Sequence, residues 1–257
     1  MIVLFTDFGP AGPYTGQMTA ALRNIAPDVP VIDLLSNAPA FEPQASAYLL
    51  AALIRDFPDG SVFLGIVDPG VGGDRMPVIV KAAAQWFVGP DNGLFDIVIR
   101  RSGINDARAW RLTHQPEHLS ASFHGRDLFA PAAAKIALGH AVPGEQIAID
   151  ELRHTGWPDD LAKIIYIDHF GNAITGIRAR TLPSGTALRF SDTTIMNARV
   201  FSDVETGALF WYENANGLAE IAVNQGRAVD LGFVVGAPVT VLKPDEAINQ
   251  VWHKTNN

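Results

Sequence analysis

Apolar runs and amphipathic stretches alternate along the first half of the chain. Ile2 to Phe5 is a short continuous apolar run, and from Thr15 to Ile25 the residues Met18, Ala21, Leu22 and Ile25 recur at i, i+3, i+4 and i+7. That spacing predicts a strand followed by an amphipathic helix. The unit repeats as a strand at Val29 to Leu34, a helix from about Pro43 to Phe57 and a strand at Val62 to Val67, with turn residues between them. Further strands are expected at Val78 to Ala82 and Trp86 to Val88, and a helix at Arg126 to Leu138, whose Pro131 lies near enough to the start to be tolerated. Near-continuous apolar strands separated by helices predict an α/β domain with a parallel sheet covered on both faces.

After Pro143-Gly144 the rhythm changes. Ile164 to Ile167, Ala173 to Ile177, Ala187 to Phe190, Ala208 to Tyr212, Glu220 to Val223 and Val239 to Leu242 read as strands with no helical pattern between them. This predicts an α/β domain over residues 1–150 and a smaller all-β domain over 160–257. The polar stretch Asp150 to Asp160, with Gly156 and adjacent Asp159 and Asp160, forms the boundary, and the tail from Asn249 onward reads as polar and frayed.

Composition narrows the classes of function. With 257 residues, 48% hydrophobic and 18% charged, the chain has ample apolar surface for a globular fold. A formal net charge of -8 and the lack of a Lys/Arg cluster argue against a nucleic-acid partner, and Arg100-Arg101 reads as a solvated helix face. No cysteine is present, so disulfides, thiolate metal sites and a cysteine nucleophile are excluded. The longest apolar run, Ala47 to Ile54, is far short of the ~20 residues of a membrane span. Met1 leads directly into the first strand without a basic segment or a cleavage site, which predicts a cytoplasmic protein.

Candidate chemistry gathers at strand ends. Asp7, in Thr6-Asp7-Phe8-Gly9, follows the first strand, where ligands of open α/β sheets bind; it could hold a ribose diol or close an Asx turn. Neither a Gly-Lys-Ser/Thr phosphate loop nor a G-x-G-x-x-G opening a helix is present, so nucleotide phosphate binding lacks its usual support. The strand to Val67 ends in Asp68-Pro69-Gly70-Val71-Gly72-Gly73-Asp74-Arg75, a glycine-rich loop that can bring Asp68 and Arg75 within reach of each other. His124, in Phe123-His124-Gly125-Arg126-Asp127, precedes a helix start. Two more loops, Gly89 to Phe95 and Asp168-His169-Phe170-Gly171-Asn172, suit ligand binding, although turns explain both. In Asn216 to Asn224, a strand follows whose backbone could pair with an adenine edge.

Together, TDFG at Thr6 to Gly9, VDPGVG at Val67 to Gly72, PDNGLF at Pro90 to Phe95, FHGRDLFAPAAA at Phe123 to Ala134, IDHFGNAIT at Ile167 to Thr175 and NGLAEIAVNQG at Asn216 to Gly226 resemble the S-adenosylmethionine hydroxide adenosyltransferases, relatives of fluorinase and chlorinase. The resemblance implies an N-terminal Rossmann-like domain, a C-terminal β-barrel and a homotrimer with active sites between one subunit's N-terminal and its neighbour's C-terminal domain. It also implies hydrolysis of S-adenosylmethionine to adenosine and methionine without a metal or cofactor. Asp68, Arg75 and His124 match the family's water-activating set, and Asp7, beside Phe8, matches the ribose-binding carboxylate. Asp168, Phe170 and Asn172 fall in the segment that grips the methionine part and adenine, with Asn216 and the backbone of Ala222 and Val223 at the adenine edge. Tyr212-Glu213-Asn214-Ala215 aligns only loosely with the family's serine-containing loop, so recognition of the methionine carboxylate stays open.

Three other readings compete. A halide adenosyltransferase would use the same pocket, but needs a halide cage in place of the water-activating trio. A non-catalytic adenosine or S-adenosylmethionine sensor would keep Asp7 and the Asp168 loop and have no use for converging Arg, His and carboxylate. A metal-dependent hydrolase would draw on Asp7, Asp68 and Asp91.

Overall fold

The chain divides into two units, Met1–Gly156 and Trp157–Asn257. The computed structural model describes residues 1–114, 116–152 and 156–246; the tail from Asn249 lies outside them.

The first unit holds the strands β1 (Ile2–Thr6), β2 (Val31–Leu35), β3 (Val62–Ile66), β4 (Pro77–Ala82), β5 (Gln85–Pro90), β6 (Arg108–Leu112) and β7 (Gly144–Ile147), with helices α1 (Tyr14–Ile25), α2 (Pro43–Leu53), α3 (Asp96–Ser102) and α4 (Ala130–Ala137). Its single seven-stranded sheet runs β2-β1-β3-β5-β4-β6-β7. Strands β1 and β3 are buried at every position, as strands covered on both faces must be. Ile2, Leu4, Val62, Leu64 and Ile66 pack with Met18 and Leu22 of α1 and with the alanine-rich α4. The alternate residues point to the opposite face, where Phe63 stacks on Phe87 and meets Phe57 edge-on.

The sheet is mixed, where the pattern predicted a parallel one. Strands β2, β1, β3 and β5 pair in parallel, and β4, β6 and β7 are antiparallel. The reversal is a two-residue hairpin at Ala83-Ala84, both at positive φ (49° and 60°). A type I′ hairpin turn has φ above zero at both central residues, and Asn-Gly is its usual signal; two alanines give none. Such a conformation costs non-glycine residues on the order of 1 kcal/mol each. Replacing Ala83-Ala84 by Asn-Gly therefore raises stability by about 1–2 kcal/mol, read as a rise in Tm of about 2–8 °C in a thermal melt. An unchanged or lower Tm contradicts this account of the hairpin.

Two other local features differ from the sequence pattern. The helix expected from Arg126 begins as a π turn at Gly125–Phe129 before α4. Arg100 and Arg101 do not form a solvated face: they are half-buried on α3, Arg100 lying 3.7 Å from Asp96 and the Arg101 guanidinium 5.9 Å from the Tyr48 ring.

The described part of the second unit holds the strands β8 (Leu161–Ile167), β9 (Ala173–Arg178), β10 (Ala187–Phe190), β11 (Thr193–Ile195), β12 (Leu209–Glu213), β13 (Leu218–Val223) and β14 (Thr240–Leu242), with short 3-10 turns between some of them. They form an antiparallel sheet ordered β12-β13-β9-β8 and a smaller one ordered β11-β10-β14. Ile164, Ile177, Leu188, Ile195, Trp211 and Ile221 share one core between them.

Candidate functional site

The carboxyl ends of β1 and β3 open into a cleft of about 610 Å³ in the first unit. Asp7, Phe8, Asp68, His124 and Gly125 line it, together with Tyr14, Phe41, Phe123 and Arg126, which the sequence did not single out for it. Asp7 and Asp68 follow adjacent parallel strands, and the Asp7 N–H donates to the Ile66 carbonyl. The register of the sheet thus brings two carboxylates 61 positions apart onto one rim.

The glycine-rich loop doubles back so that Arg75 reaches Asp68. Gly72 has φ +80°, and a Cβ there would meet the Ala121 carbonyl oxygen at 2.6 Å, so the turn can press against the segment that leads to His124 only as glycine. Arg75 Nε donates to both Asp68 oxygens at 3.0 Å and Nη2 donates to Oδ2. The two side chains are 10% and 5% exposed. Arg75 Nη2 also lies 3.0 Å from His124 Nδ1. A guanidinium has only donors, so Nδ1 accepts and the neutral ring carries its proton on Nε2. Burial first, and the Arg75 charge second, hold the imidazole below its usual range, while Asp68 and Asp127 pull the other way. Arg75 itself is absent from the cleft wall; it stands behind Asp68 and His124 and fixes both.

Asp7 Oδ2 accepts the backbone N–H of Phe41 at 3.1 Å, and the Gly9 N–H that an Asx turn would engage goes instead to the Ser36 carbonyl. Burial is the main cause that raises its pKa, the Phe41 bond opposes it, and the Asp68 charge adds to the rise. Phe41 is 75% exposed and held at φ +61°. Phe8, Tyr14 and Phe123 meet in a cluster with ring centroids 5.5–5.8 Å apart. The Pro90 to Phe95 loop proves to be a brace: Asn92 donates to the Val67 carbonyl at 2.7 Å and accepts from the Leu94 N–H, which fixes the chain one residue before Asp68.

Among the described residues no three His, Asp or Glu side chains stand together as a metal-ligand set. Asp91, grouped with Asp7 and Asp68 in the metal reading, lines a separate small cavity with Asp96 and Arg100. No helix among the described residues is long and apolar enough to cross a membrane.

The second unit carries its own cavity of about 630 Å³. Asp168, Phe170, Asn172, Asn216 and Val223 line it, with Tyr212, Asn214 and Glu220 beside them. Asp168 Oδ1 accepts the Asn172 N–H at 2.8 Å, and Asn172 is buried, while Phe170 is 69% exposed. Ala222 is fully buried in β13 opposite Phe210 and is absent from the cavity wall. Glu220 did have a signal in the sequence, as the single charge in the apolar run Leu218–Val223.

Known proteins match the chain along its length. A model of the SAM hydroxide adenosyltransferase N-terminal domain matches residues 2–146, and one of the C-terminal domain matches residues 162–240. An (R)-S-adenosyl-L-methionine hydrolase of Thermus thermophilus is 35% identical over 261 residues, covering 94% of this chain and 99% of its own. A fluorinase of Nocardia brasiliensis is more distant, at 24% identity over 87% of this chain and 90% of its own. The solved structure of an uncharacterized conserved protein from Thermotoga maritima superposes with a TM-score of 0.84 at 28% identity, over 95% of this chain and all of that one. The chain belongs to the SAM hydroxide adenosyltransferase family.

Proposed function

We propose that this protein hydrolyses S-adenosylmethionine to adenosine and methionine. The observation that carries the reading is the Asp68-Arg75-His124 arrangement on a cleft that also presents Asp7. The greater identity to a named hydrolase than to a fluorinase supports it.

A water oxygen attacks the ribose 5′ carbon, the carbon–sulfur bond breaks, and its electron pair leaves with sulfur as the neutral thioether of methionine. Because the leaving group departs neutral, the difficulty lies with the nucleophile. Of the three polar groups, Arg75 is always protonated, and His124 has its Nδ1 lone pair engaged and its proton on Nε2. Asp68 keeps a lone pair on Oδ1 beyond those that Arg75 occupies and takes the water proton there, a role that typically contributes ~10² to 10⁴ in rate. His124 orients the oxygen, and Asp7 accepts from the ribose hydroxyls. The aromatic wall of Phe8, Tyr14 and Phe123 keeps the sulfonium and the nucleophile poorly hydrated, which favours a transition state whose charge is dispersing.

On the family resemblance, the reading also carries a Rossmann-like N-terminal domain, a C-terminal domain closed as a small β-barrel, and a cytoplasmic, cofactor-free homotrimer. In that trimer the cleft of one subunit is completed by the neighbour's C-terminal cavity, where Asp168, Phe170, Asn172, Asn216 and the Ala222-Val223 backbone meet the methionine part and adenine.

Chelator-treated protein incubated with S-adenosylmethionine in heavy-oxygen water, with and without chloride, tests the chemistry. The expected nucleoside is adenosine carrying the label at its 5′ oxygen under both conditions. A 5′-chlorinated nucleoside would transfer the protein to the halide branch, and intact bound substrate would make it a sensor.

A further inference from the structure

Strand β13 is apolar at every position except Glu220, which is 4% exposed and pairs with Tyr212 on β12 and Ile174 on β9. A carboxylate in such a place is costly unless its oxygens are satisfied. Here Oε1 accepts from the Tyr212 hydroxyl at 2.6 Å and Oε2 from the Asn214 side-chain amide at 2.9 Å. A carboxylate only accepts, so both bonds have a fixed direction. Tyr212 spends its one proton on Glu220 and can offer the cavity only lone pairs. Asn214, with its nitrogen turned to Glu220, receives the N–H groups of Asn216 and Leu218 on its oxygen at 2.9 and 3.0 Å, which holds the rim of the cavity. Burial and then the Glu220 bond push the Tyr212 phenol well above its usual range, so it stays protonated.

We infer that Glu220 is a positioning residue of the substrate pocket: it sets Tyr212 as a hydrogen-bond acceptor toward the cavity and thereby selects a substrate group that donates. The inference rests on the hydrolase reading for the identity of that substrate. S-Adenosylmethionine has two such amino groups, the α-ammonium of its methionine part and the exocyclic amine of adenine. Methionine carries only the first and adenosine only the second.

Glu220→Gln keeps the shape and reverses the polarity. With its oxygen on Asn214, the new amide nitrogen donates to Tyr212, whose own hydroxyl must then point into the cavity as a donor. We expect KM for S-adenosylmethionine to rise about tenfold with kcat within about threefold. By calorimetry one product loses affinity by a similar factor and the other does not; which one is affected assigns the donor to the methionine half or the nucleoside half of the substrate. Tyr212→Phe gives a comparable loss, and in that background Glu220→Gln adds less than about twofold, because the two act as one unit. The inference is overturned if Glu220→Gln leaves KM and both affinities unchanged, if it weakens both products equally, if its loss persists in the Tyr212→Phe background, or if the wild type binds neither product. Tyr212→Phe retains the ring that packs on Phe201 and Phe210, so unchanged product binding in that variant alone also overturns it, should Glu220→Gln fail to fold. The activity reading fails separately: a wild type that leaves S-adenosylmethionine intact, yet binds the products as described, defeats the hydrolase and not the role of Glu220.

Discussion

Replacing Arg75 by alanine lowers kcat for S-adenosylmethionine hydrolysis by at least about 10³-fold, while adenosine binds within about threefold of its wild-type affinity. Arg75 is absent from the cleft wall but holds both Asp68 and His124 through Nε and Nη2. Without it, Asp68 is a carboxylate 5% exposed and stripped of its cation, and His124 Nδ1 has lost its donor. Neither group then keeps its orientation, and misplacement of this kind is costly in rate. Arg75→Lys restores a charge without the planar fork and recovers little. The pH profile separates this role from a structural one. The Arg75 charge helps hold the His124 pKa down, so its removal lets that pKa rise and moves the acid limb of activity to higher pH. An Arg75→Ala enzyme within tenfold of wild type, with an unshifted acid limb, would remove the residue from the mechanism.

The sequence carried the parts of the fold that depend on burial. Strands β1 and β3 read as unbroken apolar runs because both faces are covered, and α1 read correctly because Met18 and Leu22 lie on one stripe against the sheet. What it did not carry was strand direction. The Ala83-Ala84 hairpin contains none of the residues that mark a tight turn, so β4 and β5 were legible as strands and not as an antiparallel pair. Strands β6 and β7 were illegible for another reason: Arg108–Leu112 has two arginines, Arg108 and Arg111, breaking its apolar run, and Gly144–Ile147 is mostly polar, as suits strands near a sheet edge.

The site was legible where chemistry sits at strand ends. Asp7, Asp68 and His124 line one cleft because the parallel register of β1 and β3 aligns their carboxyl ends. Arg75 was found as a member of the group, but its place behind the other two is a matter of loop conformation, set by Gly72 against Ala121. Phe41 could not be read at all, since it reaches Asp7 through a backbone N–H that any residue would supply. The Pro90 to Phe95 loop, for which a turn was already a sufficient account, braces Val67 through Asn92.

Asp68→Asn is the second large loss expected, again about 10³-fold or more, with a change in the form of the pH profile. Asparagine fits the volume but presents an amide nitrogen to a guanidinium that has only donors, and it takes no proton from water. In the wild type the limb on the acid side belongs to His124. Burial and Arg75 hold its pKa below the usual imidazole range, which favours the neutral ring, and activity falls as pH drops through that lowered value and Nδ1 gains a proton facing Arg75. Above it the wild-type rate is flat. In Asp68→Asn no base remains, so the nucleophile must come from solution as hydroxide and log kcat climbs with pH with a slope near one. The acid limb also moves lower, since the Asp68 charge that favours imidazolium is gone. A flat profile above pH 7 in Asp68→Asn, at a rate within tenfold of wild type, would take the proton from Asp68 and return the assignment to His124.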